Sequence, residues 1–169
     1  MGIYQTGMTD LDLQKALKKE LEKMIKDGDV KVPPCEELGQ KEWKPIKVYR
    51  QEKPWKNDEC SDDQENYILI MIDDEDQNSD DQWVVTIHFL FSIYYEDVKH
   101  QGNLVLADLM NRVYMYLAKK RIIDGKYELE RGKAHKRFNQ ECYPNFYECD
   151  LITQWKLPEV MTEGIKDLV

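Results

Sequence analysis

Two strongly apolar runs in the middle of the chain flank a short stretch made almost entirely of acids and amides. The first run is YILIMI at 67–72, and the second is WVVTIHFLFSIYY at 83–95. In the second run every second residue, from Trp83 to Tyr95, is apolar, and these residues would share one face of a strand. Such alternation predicts strands with a buried face, so we expect a long hairpin over 67–95. At about 3.4 Å per residue, the second strand would be about 40 Å long. It must therefore extend beyond its own core or pair with more than one neighbour.

Two other segments repeat apolar residues at helical spacing. TDLDLQKALKKELEKMIKDG predicts a helix over 9–27, with Thr9 as N-cap, Asp12 as the capping-box acid and Gly28 at its end. LVLADLMNRVYMYLAKKR predicts a second helix over 104–121, whose basic last turn suits the negative end of the helix dipole. The apolar face of the first helix comprises Leu13, Ala16, Leu17, Leu21, Met24 and Ile25.

The remaining segments complete an α+β pattern. A short strand is predicted at 46–50, an extended polar loop at 51–66, and closing strands over 126–156, the last of which has one apolar face. Strands and helices in this order predict an antiparallel or mixed β-sheet with a long β-hairpin, packed against two main α-helices on one side. The length suits a single domain over 1–169.

The composition of the chain disfavours binding to DNA and insertion into a membrane. Charged residues are 34% of the chain and the net charge is −9, which disfavours sequence-independent binding to DNA phosphates. No apolar run approaches the roughly 20 residues that a membrane helix needs, and the first residues lack the features of a signal peptide. With no export signal and no C-x-x-C spacing, the cysteines are expected to be reduced.

The acidic stretch between the two apolar runs is the first candidate for chemistry. An EF-hand loop that began at Asp74 would need Gly at its sixth position and Glu at its twelfth, where the chain has Ser79 and Val85. Two interpretations remain: a solvated hairpin turn whose charge prevents edge-to-edge stacking, or a weak divalent-cation site. The carboxylates concerned are Asp73, Asp74, Glu75, Asp76, Asp80 and Asp81.

A metal-dependent nuclease is a more specific alternative to a solvated turn, because Asp97 and Lys99 form a D-x-K triplet downstream of Asp73. Two-metal cleavage needs acids that converge on paired ions, but a hairpin would place Asp73 and Asp97 at opposite ends, about 40 Å apart. No nucleophile elbow, P-loop, dinucleotide fingerprint or zinc spacing occurs. We therefore predict no catalytic, cofactor or metal residues, and a structural or binding role instead of an enzyme.

An ordered set of segments carries a resemblance to a known family. IKVYRQEKP precedes a variable loop, and YILIMIDDEDQ…WVVTIHFLFSIYYED forms a strand, turn and strand. HQGNLVLADLMNRVYMYL supplies a helix after a glycine-bearing turn, and YELERG…FNQECYPNFYECDLITQWKLPEV supplies the closing strands. Over 9–160, this order resembles the tail terminator, or tail completion, proteins of long-tailed bacteriophages.

The resemblance implies a function in the virion. Such a protein would form a hexameric ring on the head-proximal end of the tail tube, stop tube polymerisation and offer a docking face to the head connector in the neck. DNA would pass through the lumen without specific binding, and no cofactor would be needed. The protein would be made in the cytoplasm of the bacterial host. A head–tail connector and a tail-tube subunit remain alternatives, and a non-phage protein-binding module is a more remote one.

A ring subunit must contact its neighbours through two different surfaces. We expect the long strand to offer a sheet edge, and the polar loop and acidic turn to reach adjacent subunits or the tube. Deletion of 56–64 should then impair ring formation and tube capping. The candidate interface residues are Trp55, Lys56, Asp58, Asp62, Asp73, Asp74, Glu75, Asp76, Asp80 and Asp81.

Overall fold

A computed structural model describes residues 8–34, 42–53, 66–96, 101–139 and 145–160. It has two helices and a curled, mostly antiparallel sheet, which confirms the predicted α+β class. The elements are α1 Asp10–Asp27, β1 Lys31–Val32, β2 Lys44–Pro45, β3 Lys47–Arg50, β4 Tyr67–Gln77, β5 Trp83–Tyr94, α2 Gly102–Lys120, β6 Ile122–Ile123, β7 Tyr127–Leu129, β8 His135–Asn139 and β9 Phe146–Lys156.

The long strand β5 lies in the middle of the main sheet. It pairs antiparallel with β4 on one side and with β9 on the other. The strand order is β3-β4-β5-β9-β7-β6, and β8 pairs with β9 beside β7. The prediction that β5 pairs with more than one neighbour is therefore confirmed. The expectation that β5 offers a free edge is wrong, because β4 and β9 use both of its edges.

One hydrophobic core fills the space between the sheet and the two helices. Alternate residues of β5 and β9 point into it, among them Phe89, Phe91 and Trp155, all of which are fully buried. Each helix adds one apolar stripe, which includes Leu17 on α1 and Val113 on α2. Neither helix in the described ranges combines the length and apolarity that crossing a membrane requires.

Local signals fix both ends of α1. At its start, the side chain of Thr9 caps the backbone of Asp12, whose carboxylate in turn binds the backbone of Thr9. At its end, the N–H of Val30 donates to the carbonyl of Ile25 (2.9 Å), which is the long bond of a Schellman motif. Asp29 holds the left-handed position with φ 48°. The glycine expected there, Gly28, instead has a right-handed φ of −87°.

This mismatch gives a first prediction. Asp29→Gly should raise the free energy of unfolding by about 0.5–1 kcal/mol, because glycine adopts positive φ without steric cost and the acid opposes the helix dipole. The exposed ion pair with Lys31 that would be lost (3.2 Å) is worth little. Urea denaturation measures the change, and an unchanged or lower stability would contradict it.

Candidate interaction surfaces

Most of the acidic stretch belongs to a strand. The structure corrects the expected turn over 73–81, because β4 continues pairing with β5 as far as Gln77. Backbone pairing does not require apolar side chains, and Asp73, Asp74 and Asp76 remain exposed on this part of β4. The turn itself is short and is shaped by Asn78, whose Oδ1 accepts from the N–H groups of Asp80 and Gln82, each at 3.0 Å.

A β-bulge at Asp73 decides which acids face the helices. Ile72 pairs with Ile87 and Asp74 pairs with Thr86, so Asp73 has no direct partner on β5. The extra residue shifts the alternation by one. As a result only Glu75, opposite Val85, faces the helices, while Asp74 and Asp76 face the other side of the sheet.

Glu75 occupies an unusual environment for a carboxyl group. Its Oε1 is buried and has no hydrogen-bond partner in the described part of the chain. Burial, followed by the negative charge of Asp10 and a hydrogen bond with it, raises the pKa of Glu75 to about 6. Glu75 therefore holds its proton under mildly acidic conditions. Within the described ranges, no three His, Cys, Asp or Glu side chains are placed to hold a metal ion.

The raised pKa makes stability depend on pH in a defined direction. The folded protein binds the proton of Glu75 more tightly than the unfolded chain, whose pKa is near 4.5. The stabilisation is thus fully present below pH 4.5 and is lost as the pH rises through about 6, at a cost of about 1–2 kcal/mol. We expect Glu75→Gln to be about 1 kcal/mol more stable than the wild type at pH 8 and equal to it at pH 4.

Urea denaturation at pH 4, 6 and 8 tests this prediction. Asp76→Asn is the matched control, because it removes the same charge from an exposed neighbour on the same strand. A stability difference between Glu75→Gln and the wild type that does not change with pH would contradict the prediction.

Within the described residues, no strand covers the outer edge of β4 where the strand becomes acidic. Strand β3 pairs with β4 only from Tyr67 to Ile70. Beyond Ile70, the side chain of Gln51 binds the edge in place of a strand. Its Oε1 accepts from the N–H of Ile72 (3.0 Å) and its Nε2 donates to the carbonyl of Ile72 (3.3 Å). In the part of the chain that the structure describes, no strand pairs with this edge over Asp73–Gln77.

A basic counterpart lies on the far side of the same sheet. All five residues of β8 are exposed, and among the described strands β8 pairs along one edge, with β9. The segment RGKAHKR at 131–137 contains no acid, in a chain of net charge −9. Arg137 binds Asp150 through two nitrogens (3.0 and 2.7 Å), and Lys136 donates to Asn111 (2.6 Å). Among the described strands, no other strand covers the acidic edge of β4 or the basic outer edge of β8.

The sheet face opposite the helices is a third surface. No described helix covers it, and its residues are half-buried through the middle of β5 and β9, as with Leu90 and Ile152. On this face the imidazole of His88 lies 3.4 Å from the carboxylate of the bulged residue, Asp73. This histidine therefore supports the bulge from the neighbouring strand.

Compared with known proteins, the chain matches no protein-family model and no curated protein. We therefore infer its function from the three surfaces just described and from the resemblance of its sequence.

The predicted interface residues fall into two groups. The six acids lie on one hairpin, four of them on β4 and Asp80 and Asp81 in its turn. Trp55, Lys56, Asp58 and Asp62 lie outside the described residues, as does the D-x-K triplet at 97–99. Sequence reasoning missed the basic edge, although the run RGKAHKR within a predicted strand could have identified it.

Proposed function

We propose that this chain is a structural virion protein that caps the head-proximal end of a phage tail tube as a ring. It stops tube polymerisation and provides the docking face for the head connector. The observation that carries the proposal is a pair of sheet edges of opposite charge that no described strand covers, Asp73–Gln77 on β4 and the outer edge of β8. A subunit with two different, complementary surfaces forms head-to-tail contacts, and such contacts close into a ring when the rotation between neighbours allows it.

The other surfaces fit the same role. In such a ring, the half-buried sheet face that the helices leave open faces the lumen. The net charge of −9 favours a lumen that repels the phosphates of passing DNA. The chain needs no catalytic group, metal or cofactor for this work, and its proposed location is the neck of the virion.

Tube assembly in the presence of this chain tests the proposal. The tail tube protein of the same phage should form tubes of variable length alone, and short tubes with one uniform capped end when this chain is added. Electron microscopy measures the length distribution, and an unrelated acidic protein of similar size is the control.

The alternative functions, tube subunit and head–tail connector, predict different results in the same electron microscopy experiment. Tubes built from this chain alone would identify a tube subunit instead, and rings that bind the connector but leave tube length unchanged would identify a connector. Unchanged tube lengths without any rings would contradict every structural assignment proposed here.

A further inference from the structure

We infer that copies of this chain join by antiparallel β-pairing between the acidic edge Asp73–Gln77 of one copy and strand β8 of the next. In this pairing Asp74 lies opposite Arg137, Glu75 opposite Lys136 and Asp76 opposite His135. The inference rests on the proposed function, since a ring requires contact between copies, and it adds the strands, their direction and their register.

The two edges match in length and in backbone chemistry. Each spans five residues, and in the described part of the chain each pairs with another strand on one side only. A strand edge that no strand covers presents N–H and C=O groups as a template for another strand. On the acidic edge, the N–H of Glu75 donates to Oδ1 of Asp74 (2.9 Å) and would exchange this bond for one to β8. The side chain of Gln51 ends the contact of β3 with β4 at Ile72, and this leaves the acidic edge open.

Charge selects the partner of each edge. Two acidic edges repel each other, and so do two basic ones, because like charges directly opposite in a sheet are destabilising. Strand β3, with Lys47 and Arg50, is also basic and is therefore a poor partner for β8. An acidic edge attracts a basic one, so symmetric dimers are disfavoured and a head-to-tail contact is favoured. The five residues of β8 match the length of the acidic edge, whereas β3 has four.

Rotational symmetry selects the direction. Strands β4, β5, β9 and β8 alternate in direction, so β4 and β8 of one copy run opposite ways. Rotation about an axis roughly along the strands preserves these directions. The β8 strand of one copy then meets β4 of the next as an antiparallel neighbour.

The faces of the sheet select the register. After the bulge, Glu75 faces the helices, while Asp74 and Asp76 face the opposite side. On β8, Lys136 is opposite the buried Leu151 and so shares the helix side, while His135 and Arg137 take the other side. Directly opposed residues share a face, and a slip of one residue would break the match for all of them. The register of Glu75 with Lys136 joins like faces at three successive positions and opposite charges at two of them, Asp74 with Arg137 and Glu75 with Lys136.

The resulting stagger is compatible with ring closure. Within one copy, the strand pairs β8–β9, β9–β5 and β5–β4 place His135 at the same height along the sheet as Met71. The proposed partner of His135 in the next copy is Asp76, which lies further along β4. This offset is about 13–17 Å along the strands, over about 19 Å across four strands. The strands would tilt by about 35–40° from the ring axis, within the range of closed sheets.

The pairing also gives a hydrogen-bond donor to a buried carboxyl oxygen. The buried Oε1 of Glu75 has no hydrogen-bond partner in the described part of the chain. The ammonium of Lys136 has three donors, of which the bond to Asn111 occupies one. A neighbouring Lys136 can therefore supply the missing partner, and the resulting charge pair would also hold Glu75 in its ionised form.

Cysteine pairs test the register. Asp76→Cys combined with His135→Cys places two thiols opposite each other across the proposed contact, and both native residues are exposed. Mild oxidation should give a ladder of covalent oligomers on non-reducing gels. The wild type and each single variant should give no ladder, and the slipped pair Asp76→Cys with Lys136→Cys should give at least about fivefold less. Dimers from either single variant, or no ladder from the double variant, would overturn the inference.

Charge exchange tests the partner. Asp74→Lys with Asp76→Lys makes both edges basic, and His135→Glu with Lys136→Glu makes both acidic while leaving Arg137 on Asp150. Each variant alone should self-associate at least about tenfold more weakly than the wild type. A one-to-one mixture should recover association through alternating copies, measured by sedimentation or light scattering. Unchanged association of either variant, no recovery on mixing, or a wild type that stays monomeric at all soluble concentrations would overturn the inference.

The two proposals fail separately. Recovery on mixing without any effect on tube length would contradict the tube-capping function and leave the edge pairing intact. Normal capping by both charge-exchanged variants would contradict the edge pairing and leave the function intact.

Discussion

Gly102→Ala should lower the free energy of unfolding by about 3 kcal/mol, although alanine is the better helix former. A Cβ at this position would lie 2.1 Å from Cε2 and 2.3 Å from Cδ2 of the Tyr147 ring. That ring is buried on β9, so it cannot move aside without disturbing the core. The gain in helix propensity is at most about 1 kcal/mol, and overpacking at this distance exceeds it.

A double-mutant cycle isolates the steric cause. Tyr147→Val removes the ring atoms that the new Cβ would meet, so in that background Gly102→Ala should cost less than about 1 kcal/mol. Urea denaturation followed by tryptophan fluorescence provides the four stabilities. An equal cost of Gly102→Ala in both backgrounds would contradict the close contact of the helix start with Tyr147.

Thr153→Val should cost about 2 kcal/mol although it preserves the shape of the side chain. Thr153 is fully buried, and its hydroxyl accepts from Nε1 of Trp155 (2.8 Å) and donates to the carbonyl of Ile87 (3.3 Å). Valine would leave the buried indole N–H without an acceptor, which costs the full desolvation of that donor. The same loss should loosen the centre of the sheet, where β5 and β9 meet.

Removing the indole of Trp155 tests whether its hydrogen bond causes this cost. With Trp155→Phe as the background, Thr153→Val should cost less than about 1 kcal/mol, because no indole N–H remains to be satisfied. Thr86→Val, on the half-buried opposite face of β5, is the matched control and should change stability by no more than about 0.5 kcal/mol. A large cost that persists in the phenylalanine background would contradict the assigned hydrogen bond.

Local signals were enough to predict most elements of this fold. The capping box of Thr9 and Asp12 places the start of α1, since those two side chains bind their own backbone. The alternation along 83–95 and 145–157 gives the buried faces of β5 and β9, because burial follows side-chain direction in a strand. The order of elements then fixes the α+β class.

What could not be predicted depends on partners distant in sequence. The bulge at Asp73 and the continuation of β4 through the acids follow from pairing with β5, which no local pattern reveals. Gln51 ends the contact of β3 through bonds to Ile72, and its amide gives no sign of this in the sequence. Charge summed over the whole chain also conceals the basic edge, because acids elsewhere outweigh Lys136 and Arg137.

The central claim is that this chain acts as a ring subunit at the end of a tail tube, joined to its neighbours through sheet edges of opposite charge. An electron cryo-microscopy map of tube ends assembled with the chain tests this most directly. We expect one ring at the capped end, in which Glu75 of each copy lies beside Lys136 of the next. A map with no ring of this chain at the tube end, or a ring in which both edges face solvent, would contradict it.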